Sequence, residues 1–159
     1  MKPGKPEGMG QLLIRQPNGT WREPEIAGYA AETELQHILA DHPELIPGVG
    51  ADAVACREFQ STAGPADVVV DADGQVTLVE CKLAANPQVR REIVGQMFDY
   101  ASRLWKMGIE DFDARWQTRN GKSLFLVDDD GALLRDAVAR NLAMAGFGSS
   151  WRSMRSTSR

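Results

Sequence analysis

The sequence predicts a single α/β domain, a mixed central sheet flanked by helices, with its core in α-β-β-β-α order. Three observations carry this expectation. Apolar residues recur at helical spacing over 28–42 and again over 87–108. Between these segments lie strand-like runs punctuated by "STAGP" and by Asp73-Gly74. The chain has 159 residues, 43% hydrophobic and 25% charged, enough for one core of ordinary composition.

The elements follow in order. Residues 1–10, "MKPGKPEGMG", contain no apolar h-region and read as a disordered lead rather than a signal peptide. The domain itself is expected over 11–146. "QLLIRQPNGTWREP" reads as a hairpin around Asn18-Gly19, an N-terminal flap. In the helix over 28–42, Leu35, Ile38 and Leu39 form the apolar face, with Ala31 one turn earlier and Pro43 as the stop. His37 and His42 in this helix lack the spacing of a metal pair. A strand over 51–59 would bring Val54, Cys56 and Arg57 near the core. A hairpin then runs from Asp67 to Leu83.

Asn86-Pro87 marks the next helix start, Asn as cap and Pro at the first helical position. Its stripe is Val89, Ile93, Met97, Ala101 and Leu104, widened by Val94, Phe98 and Trp105. "IEDFDARWQTRNG" reads as a short helix with an Asn-Gly stop. "KSLFLVDDDG" fits either a strand or a helix start, and "ALLRDAVARNLAMAG" is an amphipathic helix. Residues 147–159 are rich in Ser and Arg, lack periodicity, and read as a disordered tail.

Composition excludes several classes. No apolar run approaches the roughly 18 residues of a membrane span. Cys56 and Cys81 form no Cys-x-x-Cys motif and read as free buried thiols of a cytoplasmic protein. A net charge of −4 argues against a surface coated in basic patches, while leaving room for one locally basic face.

The chemistry concentrates in "ADVVVDADGQVTLVECKL", residues 66–83. With Asp73-Gly74 as a two-residue turn, Asp67 falls directly opposite Glu80, with Cβ atoms about 4.5–5.5 Å apart. Lys82 shares the face of Glu80, because strand side chains alternate. A one-residue shift makes the opposition diagonal and keeps the cluster at one end of the strands. Opposed like charges destabilise a sheet. A hard cation such as Mg²⁺, which binds through one or two carboxylates plus waters and phosphate, would convert that repulsion into ligation. Lys82 would then orient a water or stabilise charge on a phosphate. The competing reading is a surface ion pair, since Glu-x-Lys at a strand end is common.

Gln96 and Tyr100 lie four apart, on the edge of the second helix's apolar stripe, and read either as a reach toward the strand ends or as a polar rim. Arg57, Lys82, Arg90 and Arg91 are the basic residues available for phosphate. Arg90 and Arg91 oppose the dipole of a helix N-terminus, which favours an anionic partner; the competing reading is a solvated basic pair.

Taken together, a helical Glu32, "GPADVVVD", "VECK" and "GQMFDYA" resemble the PD-(D/E)xK nuclease superfamily, with its restriction-endonuclease-like fold. The order is similar to the group with a Gln-x-x-x-Tyr element, including the catalytic domain of archaeal and actinobacterial mismatch-specific endonucleases and several uncharacterised bacterial relatives. The likeness covers 29–105, with Pro65-Ala66-Asp67 standing for the Pro-Asp of the family name.

This resemblance implies that Asp67, Glu80 and the Cys81 backbone carbonyl hold Mg²⁺ or Mn²⁺. Lys82 would be the catalytic lysine, Glu32 the acidic residue of the first helix, and Gln96 and Tyr100 positioning groups. It implies hydrolysis of phosphodiester bonds in DNA, leaves RNA open, and is compatible with a homodimer. It also implies a further core strand after a helix like "LRDAVARNLA", where the apolar pattern instead stops at Ala145-Gly146. The expectation is therefore a sheet lacking its last strand, in a chain that ended early or was read in a shifted frame. Two other classes stand beside the nuclease: a nucleic-acid-binding domain of the same fold without turnover, and a cytoplasmic interaction domain.

Overall fold

The computed structural model describes residues 13–24, 29, 31–83, 89–126, 129–144 and 152–156, with side chains except at 83, 89–91 and 152–156. The lead 1–10, the Asn86-Pro87 helix start, and the tail outside 152–156 lie outside the described residues.

The first described elements are a small hairpin, β1 (Ile14–Arg15) and β2 (Trp21–Arg22). Its turn is closed by Gln16 and Thr20, with Gly19 at φ +84°. Helix α1 spans Glu32–Asp41 and buries Leu35 and Leu39, one turn apart. It starts later than 28 because Ala31 is still extended, at φ −149°. Ala31 is therefore the exposed N-cap and not a core residue. A 3₁₀ turn at Pro43–Leu45 follows, and the chain crosses to the sheet.

Strands β3 (Val54–Ser61), β4 (Gly64–Val70) and β5 (Val76–Leu83) form an antiparallel meander. Helices α2 (Val89–Leu104), α3 (Ile109–Asn120) and α4 (Asp129–Met144) come next. Strand β6 (Arg152–Ser156) then pairs parallel with β5, giving a mixed sheet of order β3-β4-β5-β6. The observed order is α-β-β-β-α, continued by two helices and a strand. No described helix is long and apolar enough to cross a membrane.

The sheet has a core on each face. Paired Val68 and Cys56, with Val70, Leu78, Ala66 and Phe59, pack under α2, α3 and α4. Val69, Val79, Cys81 and Ala53 pack with Leu35, Leu39 and Ile46 of the α1 side. Cys56 and Phe59 are three apart, yet both enter the first core. A β-bulge between them restores the phase that alternation alone would break.

Several expectations need correction. Val54 is 44% exposed, because it begins the edge strand before the sheet is covered. Val94, Phe98 and Trp105 do not widen the α2 stripe and stand exposed. The buried line is Ile93, Met97, Tyr100 and Leu104, so Tyr100 occupies the width they were expected to fill. The expected unpaired edge of β5 carries β6 instead. A Ser/Arg segment shows no apolar alternation, but edge pairing is made by backbone groups, and charged residues suit an edge. The described residues of the ambiguous segment before α4 form no strand. Ser123 and the Leu124 N–H bond the Asp113 carboxylate there, and Phe125 is buried.

Candidate active site

The site begins with the turn between β4 and β5. Asp71 N–H donates to Gln75 O and Gly74 N–H to Asp71 O, with Gly74 at φ +79°. The loop is thus Ala72-Asp73-Gly74, a type I turn followed by a left-handed residue, and not a two-residue Asp-Gly turn. Two contacts hold it. Asp71, buried, accepts from Gly50 N–H at 2.6 Å, and Asn141 of α4 donates to Gly74 O at 2.7 Å. A Cβ on Gly74 would lie 2.8 Å from the backbone of α4, so the tip requires glycine twice over.

One residue of loop changes the register. Asp67 pairs with Val79, not with Glu80. Strand alternation puts Asp67 with Val69 and Val79, on the α1 side, and Glu80 and Lys82 with Leu78, on the α2 side. The shared face expected for all three groups is therefore corrected to a diagonal arrangement. They still gather at one end of the β4–β5 ladder, near enough for the Glu80 charge to act on Asp67.

Asp67 stands opposite the β3 bulge, where Arg57 and Glu58 face it together. Its Oδ1 accepts from Glu58 N–H at 2.9 Å. Glu58 sits at φ +51°, a conformation costing a non-glycine residue about 1–2 kcal/mol. Burial raises the Asp67 carboxyl above its ordinary value, opposed by the Glu58 N–H bond and the Arg57 charge and reinforced by the charges of Glu80 and Glu58. Arg57, expected at phosphate, is half-buried beside Asp67, and its Nε is buried without a hydrogen-bond partner among the described residues.

Lys82 is the hub of the polar cluster. Its Nζ lies 3.0 Å from Glu80 Oε1 and 3.3 Å from Glu32 Oε2, the first residue of α1. The Glu80 side chain is only 13% exposed. Burial draws the Lys82 ammonium down, but the bonds and charges of Glu80 and Glu32 together outweigh it and hold the pKa above the ordinary value. Lys82 is accordingly a cation and a donor, not a base.

Tyr100 closes the α2 side. It is buried, and a Cβ on Gly64 would be 3.9 Å from its ring and hydroxyl. Burial keeps its phenol above the usual value, followed by the Glu80 charge, so the O–H stays protonated. Gln96, one turn earlier on α2, is exposed. Arg90 and Arg91 lie in the first turn of α2, with side chains outside the described residues. Cys81 is buried, and burial with the charges of Asp67, Glu80 and Glu32 pushes its thiol up to about 12. The structure thus brings together Glu32, Asp67, Glu80, Lys82 and Tyr100.

Glu58 and Arg119 were missed. Arg119, on α3, bonds the Arg57 carbonyl and the Glu58 carboxylate across more than sixty residues, which no local pattern reports.

Among the described residues, no group of three or more His, Cys, Asp or Glu side chains is placed to hold a metal ion. Asp67 and Glu80 are two carboxylates bearing on each other, one desolvated, which suits a hard cation completed by water and phosphate. Comparison with protein-family models, curated proteins and solved structures finds no match.

Proposed function

We propose that the protein is a metal-dependent nuclease that hydrolyses phosphodiester bonds in DNA, with a restriction-endonuclease-like core. The observation that carries this reading is Lys82 held between its strand neighbour Glu80 and Glu32, which lies fifty residues before the lysine, at the strand end that also bears Asp67. An ion pair of incidental origin needs one partner; this lysine has two, from separate elements, beside a desolvated third carboxylate. The strand following α4 adds support, since the resemblance implies one there.

Asp67 and Glu80, with the Cys81 carbonyl, would hold a divalent cation. Bound there, it supplies charge neutralisation and activation of the attacking water. The chain's own groups do the rest. Lys82 presents a fixed positive charge to phosphate oxygens as negative charge builds on them. Glu32 and Glu80 hold its ammonium in place. Tyr100, buried and under the influence of the Glu80 charge, keeps its O–H as a donor.

The second reading, a binding domain of the same fold without turnover, is favoured by one observation. Asp67 already serves the bulge and shares no face with Glu80 by alternation. Cleavage assays on plasmid and linear DNA with Mg²⁺ or Mn²⁺ separate the two. Wild type should cut, and Lys82→Ala should lose at least about 100-fold in rate, while circular dichroism and DNA affinity remain near wild type. Equal cutting by the variant removes Lys82 from the chemistry. DNA binding without cleavage by wild type selects the binding domain.

A further inference from the structure

We propose that Arg119 is a positioning residue for Asp67, acting through the β3 bulge at Arg57 and Glu58. The proposal rests on the reading of Asp67 as a site residue and concerns how its carboxylate is aimed.

Asp67 takes its hydrogen bond from Glu58 N–H, at 2.9 Å. That bond is made with Glu58 at φ +51°. A non-glycine residue persists in such a conformation when its surroundings over-determine it. Glu58 is fixed at three places. Its N–H is held by Asp67, its carbonyl accepts from Gln60 Nε2 at 3.1 Å, and its carboxylate is held by Arg119 Nη2. The same guanidinium donates through Nε to the Arg57 carbonyl at 3.2 Å. One planar fork thus grips both residues that face Asp67, a task a single ammonium cannot match.

A simpler role for α3 is also visible, and it supplies the control. Arg115 Nη1 donates to Gln60 O at 2.6 Å, and Asn120 Nδ2 to Ala55 O at 3.3 Å. These bonds dock α3 along the same edge strand, to either side of the bulge, and touch neither bulge residue. If Arg119 merely sealed the edge, removing Arg115 would have the same consequence.

The test uses the full chain, with Arg119→Gln and Arg115→Gln compared by amide exchange and by calorimetric titration with Mn²⁺ alone. In Arg119→Gln the Glu58 amide should exchange about tenfold faster than in wild type, as expected for losing a hydrogen bond to a charged acceptor. The Val68 and Val79 amides should keep their protection. Mn²⁺ affinity should fall about fivefold. Arg115→Gln should change neither. If Arg119→Gln fails to fold, Arg119→Lys takes its place with the same expectations. An unchanged Glu58 amide in the Arg119 variant, or an equal change in Arg115→Gln, overturns the proposal. Absence of Mn²⁺ binding by wild type counts against the metal site, and the Glu58 amide then upholds or overturns the positioning role by itself.

Discussion

The two faces of the four-stranded sheet differ in what they bury. Under α2, α3 and α4, fifteen of the described residues form one buried core, including Phe59, Tyr100, Phe112, Trp116 and Phe125. Phe59 and Phe112 meet at 5.0 Å between ring centroids, and Phe112 and Trp116 at 6.1 Å. Under α1 the buried set among the described residues is Leu35, Leu39, Ile46, Ala53, Val69, Val79 and Cys81, none of them aromatic. A pocket on that side is lined by Leu39, Ile46, Cys81, Arg57 and Asp67 together. The difference teaches a division of labour. Apolar area on one face stabilises the fold, and the thinner face carries a desolvated carboxylate.

The division can be broken most directly through its largest side chains. Phe112 is fully buried between Phe59 and Trp116, and Phe112→Ala should cost about 3–5 kcal/mol in urea unfolding. Leu39→Ala, on the thinner face, should cost about 2–3 kcal/mol, at the low end for a buried leucine, because it borders the pocket and loses fewer contacts. Equal losses would mean that the two faces share the stabilisation evenly.

The same contrast explains what was legible in the sequence. Leu35 and Leu39, the Val68-Val69-Val70 run and the Ile93-Met97-Leu104 line all announce burial by local periodicity, and each is buried. The grouping of Glu80, Lys82 and Glu32 was legible through the resemblance, and their ion pairs form. The register of Asp67 was not. Asp-Gly suits a two-residue turn, but α4 and Gly50 clamp the loop ends, contacts supplied by distant residues. Tyr100, at the edge of the α2 stripe, reads either as a reach toward the strand ends or as a polar rim, and its buried ring lies in the core beside Gly64. Strand β6, whose residues show no apolar periodicity, is placed by its parallel backbone pairing with β5. The Glu58 carboxylate is bonded by Arg119, a partner no periodicity can locate.

A medium effect tests the larger face by pH. Cys56 is fully buried there, and burial pushes its thiol from 9.0 up to about 11, with Asp67 adding to the rise and Arg119 opposing it. The folded state therefore keeps this proton after the unfolded chain has lost it. Stability from Cys56 is intact below pH 9.0 and falls as pH climbs toward about 11. The slope is about 1.4 kcal/mol per pH unit for one thiol. Cys56→Ala should flatten the alkaline decline of ΔG by that amount, measured by urea unfolding at pH 8 to 10.5. An unchanged slope would mean that Cys56 is solvated in the folded state.

The smallest expected effect bears on the thinner face, and its sign is the informative part. Asp67 is raised by burial and by the Glu80 and Glu58 charges, so its ionised form costs stability at neutral pH. Asn has nearly the same shape and keeps an oxygen for Glu58 N–H, now at 2.9 Å. Asp67→Asn should therefore stabilise the metal-free protein, by about 1 kcal/mol, as removal of a strained functional group commonly does. Mn²⁺ should reverse the order. Wild type gains stability with added metal because the folded state alone brings Asp67 and Glu80 to one strand end, while the Asn variant gains little. Thermal melts with and without Mn²⁺ measure both halves. If Asp67→Asn melts lower than wild type without metal, the carboxylate is a structural cap for the bulge, and the thinner face holds it for stability rather than for chemistry.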